Sequence, residues 1–136
     1  MAGHYAVLYR HAREALEIEA ESRLGRALTA RERNLFRNCG TLTMLEELGM
    51  IVFYAQNAEE LSTKLAAMSM DGRFKLALQE LTTRLQQHLA RSLTHSEQQQ
   101  LQALGNIEEL WLLEERLQDA PQPARESLLR TLLLSA

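Results

Sequence analysis

The sequence predicts an all-α protein, a compact multi-helix bundle built from two tandem units of about four helices each, related by an offset of 65 residues. Three observations carry that prediction. Apolar residues recur three and four apart along nearly the whole chain, and no stretch alternates polar with apolar between turn residues as a strand does. Two Thr-x-x-Glu capping boxes, Thr29 with Glu32 and Thr94 with Glu97, stand at equivalent places; in each, the Thr hydroxyl accepts the glutamate's backbone N–H and the carboxylate reaches back to the cap. Gly40 and Gly105 follow the boxes at the same distance, where a short helix ends in a left-handed residue, and Thr41 and Asn106 then stand ready to cap the next helix. The apolar stripes agree as well, with Tyr9 on Phe74, Leu16 on Leu81, Leu45 on Leu110 and Leu48 on Leu113. Any two helical sequences can be slid into such agreement through their Leu and Ala content, so the caps and glycines carry the inference.

Taken in order, the signals predict a long helix over about 5–27, with Arg23 and Arg26 in its last turn complementing the helix dipole. A short helix over 30–39 and a third over about 42–56 follow. Asn57 with Glu60 caps a fourth running to about 68, and Asp71-Gly72 reads as the turn between the units. The second unit is expected at about 73–92, 95–104, 107–119 and 124–134, with Pro121 and Pro123 around the last connection. The units, about 5–69 and 70–134, belong to one all-helical domain over 1–136. No linker is long enough to separate them, so a shared core is expected.

Composition narrows the function classes. A chain of 136 residues with 46% hydrophobic and 24% charged residues can bury a sizeable core, and a net charge of −3 gives no overall drive toward nucleic acid or an anionic membrane. No apolar run approaches the roughly eighteen residues of a membrane span, so no membrane partner is expected. The lone Cys39 excludes an internal disulfide and, with no secretory-type apolar segment near the start, makes a cytoplasmic setting the expectation. No phosphate-binding glycine loop, nucleophile elbow or zinc motif is present. Cys39 aligns with Leu104, which marks it as a small buried apolar residue. His4 and His11, like His88 and His95, are seven residues apart, about 10 Å along a helix and too far to share one ion. No catalytic residue, cofactor or metal is assigned, and the chain is not expected to be an enzyme.

A working surface is best sought where the units differ. In the third helix Gly49, Met50, Ile51, Phe53 and Tyr54 align with Glu114, Glu115, Arg116, Gln118 and Asp119. The second copy is an ordinary amphipathic helix; the first is apolar all round. That fits a helix in the middle of an eight-helix domain, which is the favoured placement. The competing reading makes Met50, Phe53 and Tyr54 a docking surface, with Trp111, which replaces Glu46, as a further anchor or an edge of the core. Arg31, Arg33 and Arg37 also lack basic counterparts and could contact phosphate, although Glu32 is interspersed, which favours a solvated, partly paired face. The expected function is a non-catalytic helical interaction module, an adaptor, inhibitor or complex subunit that binds another protein or itself. The alternative is a nucleic-acid-associated regulator or nucleoprotein subunit using the three arginines.

Overall fold

The computed structural model describes residues 2–134, and these form eight α-helices, one 3-10 turn and no strand. They are α1 Ala2–Leu24, α2 Ala30–Arg37, α3 Leu42–Tyr54, α4 Ala58–Ala66, α5 Asp71–Leu89, α6 His95–Gln102, α7 Ile107–Asp119 and α8 Arg125–Leu134, with the 3-10 turn Gln122–Ala124 before α8.

Both capping boxes form. Thr29 and Thr94 adopt nearly the same extended backbone (φ −71°, ψ 164° and φ −71°, ψ 161°), and each exchanges both bonds with its glutamate. Thr41, Asn57 and Asn106 cap α3, α4 and α7 by accepting the N–H groups of Met44, Glu60 and Glu109. Most helices end two or three residues earlier than expected, and two boundaries matter for the packing. Helix α1 stops at Leu24 because Gly25 turns left-handed (φ +72°) and donates its N–H to Glu21 O at 2.9 Å. Asp71 and Gly72 open α5 instead of forming a turn, and the connection from α4 ends at Met70.

The early stop also changes the role of Arg26, which lies beyond the helix end. It forks onto Glu32 at 2.8 and 3.0 Å, fixing the cap glutamate from the outside. Arg91 does the same to Glu97 at 2.9 Å through both terminal nitrogens, and also grips Glu126 of α8. Inside the same connections Leu28 N–H donates to Glu21 Oε2 and Leu93 N–H to Gln86 Oε1. Each α–loop–α corner thus satisfies its orphan backbone groups with its own side chains.

Packing puts α1 at the centre, against α2, α3, α4 and α7. The apolar side chains divide into two clusters. One gathers Tyr9, Leu16, Phe36, Leu48, Val52 and Leu61 from the first half; the other gathers Leu81, Leu85, Leu101, Leu110, Leu117 and Leu129 from the second. The expected shared core is seen where Trp111 of α7 packs against the first cluster, and beside that contact a seam of polar groups lies between the two clusters. Arg13, with only 8% of its side chain exposed, donates to Glu108 of α7 at 2.8 Å and to Glu17 at 3.2 Å. Asn38 Oδ1 accepts Ile107 N–H at 2.8 Å, and Arg73 Nε donates to Cys39 O at 2.6 Å. Tyr9 donates its hydroxyl to Phe36 O, and its ring meets Trp111 edge-on with centroids 5.2 Å apart.

Two consequences can be measured. Ala90 ends α5 where Gly25 ends α1, but it holds φ +58° with a Cβ. Replacing it with glycine relieves that clash, so Ala90→Gly should stabilise the fold by about 0.5–1 kcal/mol net of the extra unfolded-state freedom; a melting temperature that fails to rise would count against the left-handed cap. The second concerns acid. Hydrogen bonds from Arg26 and Arg91 hold Glu32 and Glu97 at about 2, well below 4.5. Since both values are depressed, their stabilisation is complete above the unfolded value and disappears as pH falls through about 2. Urea midpoints should drop between about pH 5 and pH 2, and Arg26→Ala with Arg91→Ala should flatten that dependence.

Candidate docking groove between α1 and α3

Helix α3 is pinned at its start by two bonds. Thr41 Oγ accepts Met44 N–H at 3.1 Å, and Leu42 N–H donates to the Tyr5 hydroxyl of α1 at 2.8 Å. With that rotation set, the 3.6-residue period buries Leu45, Leu48, Gly49 and Val52. Ile51 packs partly against the core. Met50, Phe53 and Tyr54 point outward, exposed by 58%, 51% and 75%. The favoured placement of α3 at the centre of the domain is thus corrected. Helix α1 holds that position, and α3 covers one of its faces from outside.

The exposed residues border a groove. Ala12, Ala15, Leu16 and Glu19 of α1 form one wall, and Leu42, Leu45, Glu46, Gly49, Met50, Phe53 and Tyr54 of α3 form the other, enclosing about 720 Å³. Small side chains at 12 and 15 and the missing one at 49 make the depression. Packing does not demand the glycine: a Cβ at position 49 would lie 3.6 Å from both Leu16 methyls, an ordinary contact. Arg23 closes one end. It donates to Glu19 Oε2 at 2.8 Å and to Phe53 O at 3.2 Å, and its guanidinium carbon lies 5.2 Å from the Phe53 ring centroid.

Counted from the same caps, Arg84 of α5 stands where Glu19 stands in α1, and Glu114 of α7 where Gly49 stands in α3. There the depression is filled. Arg84 binds the buried Glu114 carboxylate through two bonds, 2.5 and 3.0 Å.

The other sequence-predicted residues are dispersed. Trp111 is half-buried at the seam between α7 and α1, edge-on to Tyr5 and Tyr9, and does not reach the groove. Arg31 donates to the carbonyls of Leu65, Ala66 and Met68, completing the open C-terminal end of α4. Arg33 donates to Leu28 O at 3.0 Å. Arg37 Nε lies 3.6 Å from Glu17, whose carboxyl is pushed up by burial against the pull of Arg13 and Arg37. Each arginine has its own destination, and the three do not form one open patch.

Cys39 is buried, donates to Leu35 O at 3.3 Å, and its thiol is pushed up to about 11 by burial. Among the described residues no three His, Cys, Asp or Glu side chains could hold a metal ion, and no helix is long and apolar enough to cross a membrane. Sequence reasoning found the α3 side of the groove but missed its α1 wall. The available signal was Ala12 and Ala15, two small residues three apart on one face of α1 and one turn from Leu16 and Glu19.

The glycine at position 49 sacrifices stability. Gly49→Ala should raise stability by about 0.5–1 kcal/mol, because it adds helix propensity without a clash. Denaturant melts measure it, and a loss of stability would show that the Leu16 contact cannot accommodate the methyl. No family model, curated protein or solved structure matches the chain.

Proposed function

We propose that the protein is a non-catalytic helical interaction module, an adaptor, inhibitor or subunit of a larger complex, which takes a segment of another protein into the groove between α1 and α3. The observation that carries this reading is the placement of Met50, Phe53 and Tyr54, three large apolar side chains held in water around a concave, glycine-floored surface. Burying a large apolar side chain contributes about 1.5–3 kcal/mol, so three half-exposed ones can anchor a contact even after the entropic cost of association. The matching caps, corners and arginine forks support a tandem origin for the two halves, and the groove then lies where one half has departed from the other. The single buried thiol suits a reducing, cytoplasmic setting. The nucleic-acid reading has less support, since Arg31, Arg33 and Arg37 are engaged within the fold.

Met50→Glu combined with Phe53→Glu should leave helicity and melting temperature nearly unchanged, because both side chains are exposed. The same variant should lose more than tenfold in affinity for a partner recovered from the native host, or lose any self-association seen by light scattering. Equal retention of every partner by a folded variant would sink the reading. Unfolding of the variant would show that this face belongs to the core.

A further inference from the structure

We propose that the occupant of the groove is a basic amphipathic helix of a partner protein. It sets arginine or lysine side chains against Glu46 and Glu19, one for each, while its apolar residues cover Gly49 and Phe53. This deepens the interaction reading and rests on the groove being the working surface.

Charge supplies the first argument. The two charged residues that line the groove, Glu19 and Glu46, are both acidic. Glu46 is exposed and has no ion pair among the described residues. Arg23 engages Glu19 through Oε2, and a carboxylate accepts at both oxygens, so Oε1 is available to a second donor. Arg23 at the end of the groove already serves Glu19, so the unpaired charge of the rim is that of Glu46, which repels a guest carboxylate and attracts a guest cation.

The molecule supplies the second argument itself. In the α5–α7 pair the equivalent depression is closed by a guanidinium forked onto a carboxylate, Arg84 on Glu114. In the α1–α3 pair the carboxylate has moved to the α1 side, as Glu19, and the other side chain is absent, as Gly49. A guanidinium or ammonium arriving from outside would restore the pairing with its sign reversed. The hydrocarbon stem of such a side chain would lie along the apolar wall of Ala15, Leu16 and Phe53.

A second copy of this chain presents exposed cations of its own, Arg10, Lys75 and Arg116 among them, so self-association is the competing outcome that the test separates from a partner's helix.

The test is selection of a displayed library of helical peptides, randomised on one face, against the full chain. Enrichment of peptides carrying Arg or Lys three or four residues from Leu or Met is expected. A selected peptide should lose at least tenfold in affinity for Glu46→Lys, and exchanging its basic residue for Glu should restore binding to that variant. It should also fail to bind the double variant Glu19→Arg, Gly49→Glu, which reproduces the α5–α7 ion pair within the groove. Circular dichroism checks that each variant folds, and Glu46→Lys, at an exposed position, gives a reading even where the double variant does not fold. Neutral or acidic winners that still lose binding on Phe53→Glu would overturn the basic guest and leave the groove standing. Winners indifferent to Phe53→Glu, or no enrichment at all, would overturn both. Self-association abolished by Phe53→Glu, without peptide binding, would assign the groove to a second copy and overturn the proposal.

Discussion

Arg13 is a charge almost removed from water, and its neutralisation ties the two halves of the molecule together. Its guanidinium faces two carboxylates, Glu17 one turn along α1 and Glu108 at the start of α7. Leaving such a group without its acceptors costs about 3–5 kcal/mol, a large part of the stability of a domain this size. Glu108 comes from the other half of the chain, so the requirement acts between the halves and is met in few orientations. The aromatic contacts of Trp111 with Tyr5 and Tyr9 lie on the same side of α1 and add apolar area to the ionic contact. Burial contributes the larger free energy there, while the bidentate ion pair selects the alignment.

Once α7 occupies that side of α1, the position of α3 is constrained. Two faces of α1 are taken, by α7 and by the α2 and α4 packing that completes the first core. Helix α3 covers the next, through Leu45, Leu48 and Val52, and its outer face at Met50, Phe53 and Tyr54 is left exposed among the described residues. The same helix in the second half, α7, is covered by α1 on one side and carries Arg116, Gln118 and Asp119 toward water.

The parts of this fold that were legible in the sequence are those decided within a few residues. Capping boxes, asparagine caps and the left-handed Gly40 and Gly105 depend on local backbone and one side chain, and they stand where the pattern put them. Gly25 was equally local but escaped notice because the stripe through Leu24 and Leu28 continues past it; the glycine outweighs the stripe because Glu21 serves the N–H of Leu28 and makes the break cheap. Long-range destinations were not legible. Arg31 reads as one cation on a solvated or phosphate-binding face until α4 ends beside it with open carbonyls, and Trp111 reads equally as an anchor or an edge of the core until Tyr9 is placed under it. The apolar character of α3 was plain, yet whether it faced core or water depended on which helix held the centre, a question settled by Arg13 and Glu108 and not by α3.

Gly49 and Glu114 show what such a difference between equivalent helices means physically. At position 114 a buried carboxylate is tolerated because Arg84 supplies two hydrogen bonds, and the pair fills space that would otherwise admit water. At position 49 the fold accepts the conformational cost of a mid-helix glycine although an added methyl would meet only ordinary contacts. A residue that stability alone would replace, flanked by apolar side chains that stability alone would make polar, is hard to account for by the needs of folding. The same position in the other half shows that the architecture can close this depression with its own side chains. Keeping it open, acidic at the rim and apolar at the floor, concentrates the departures from good folding chemistry on one small surface, which is the pattern expected when binding sets the requirement.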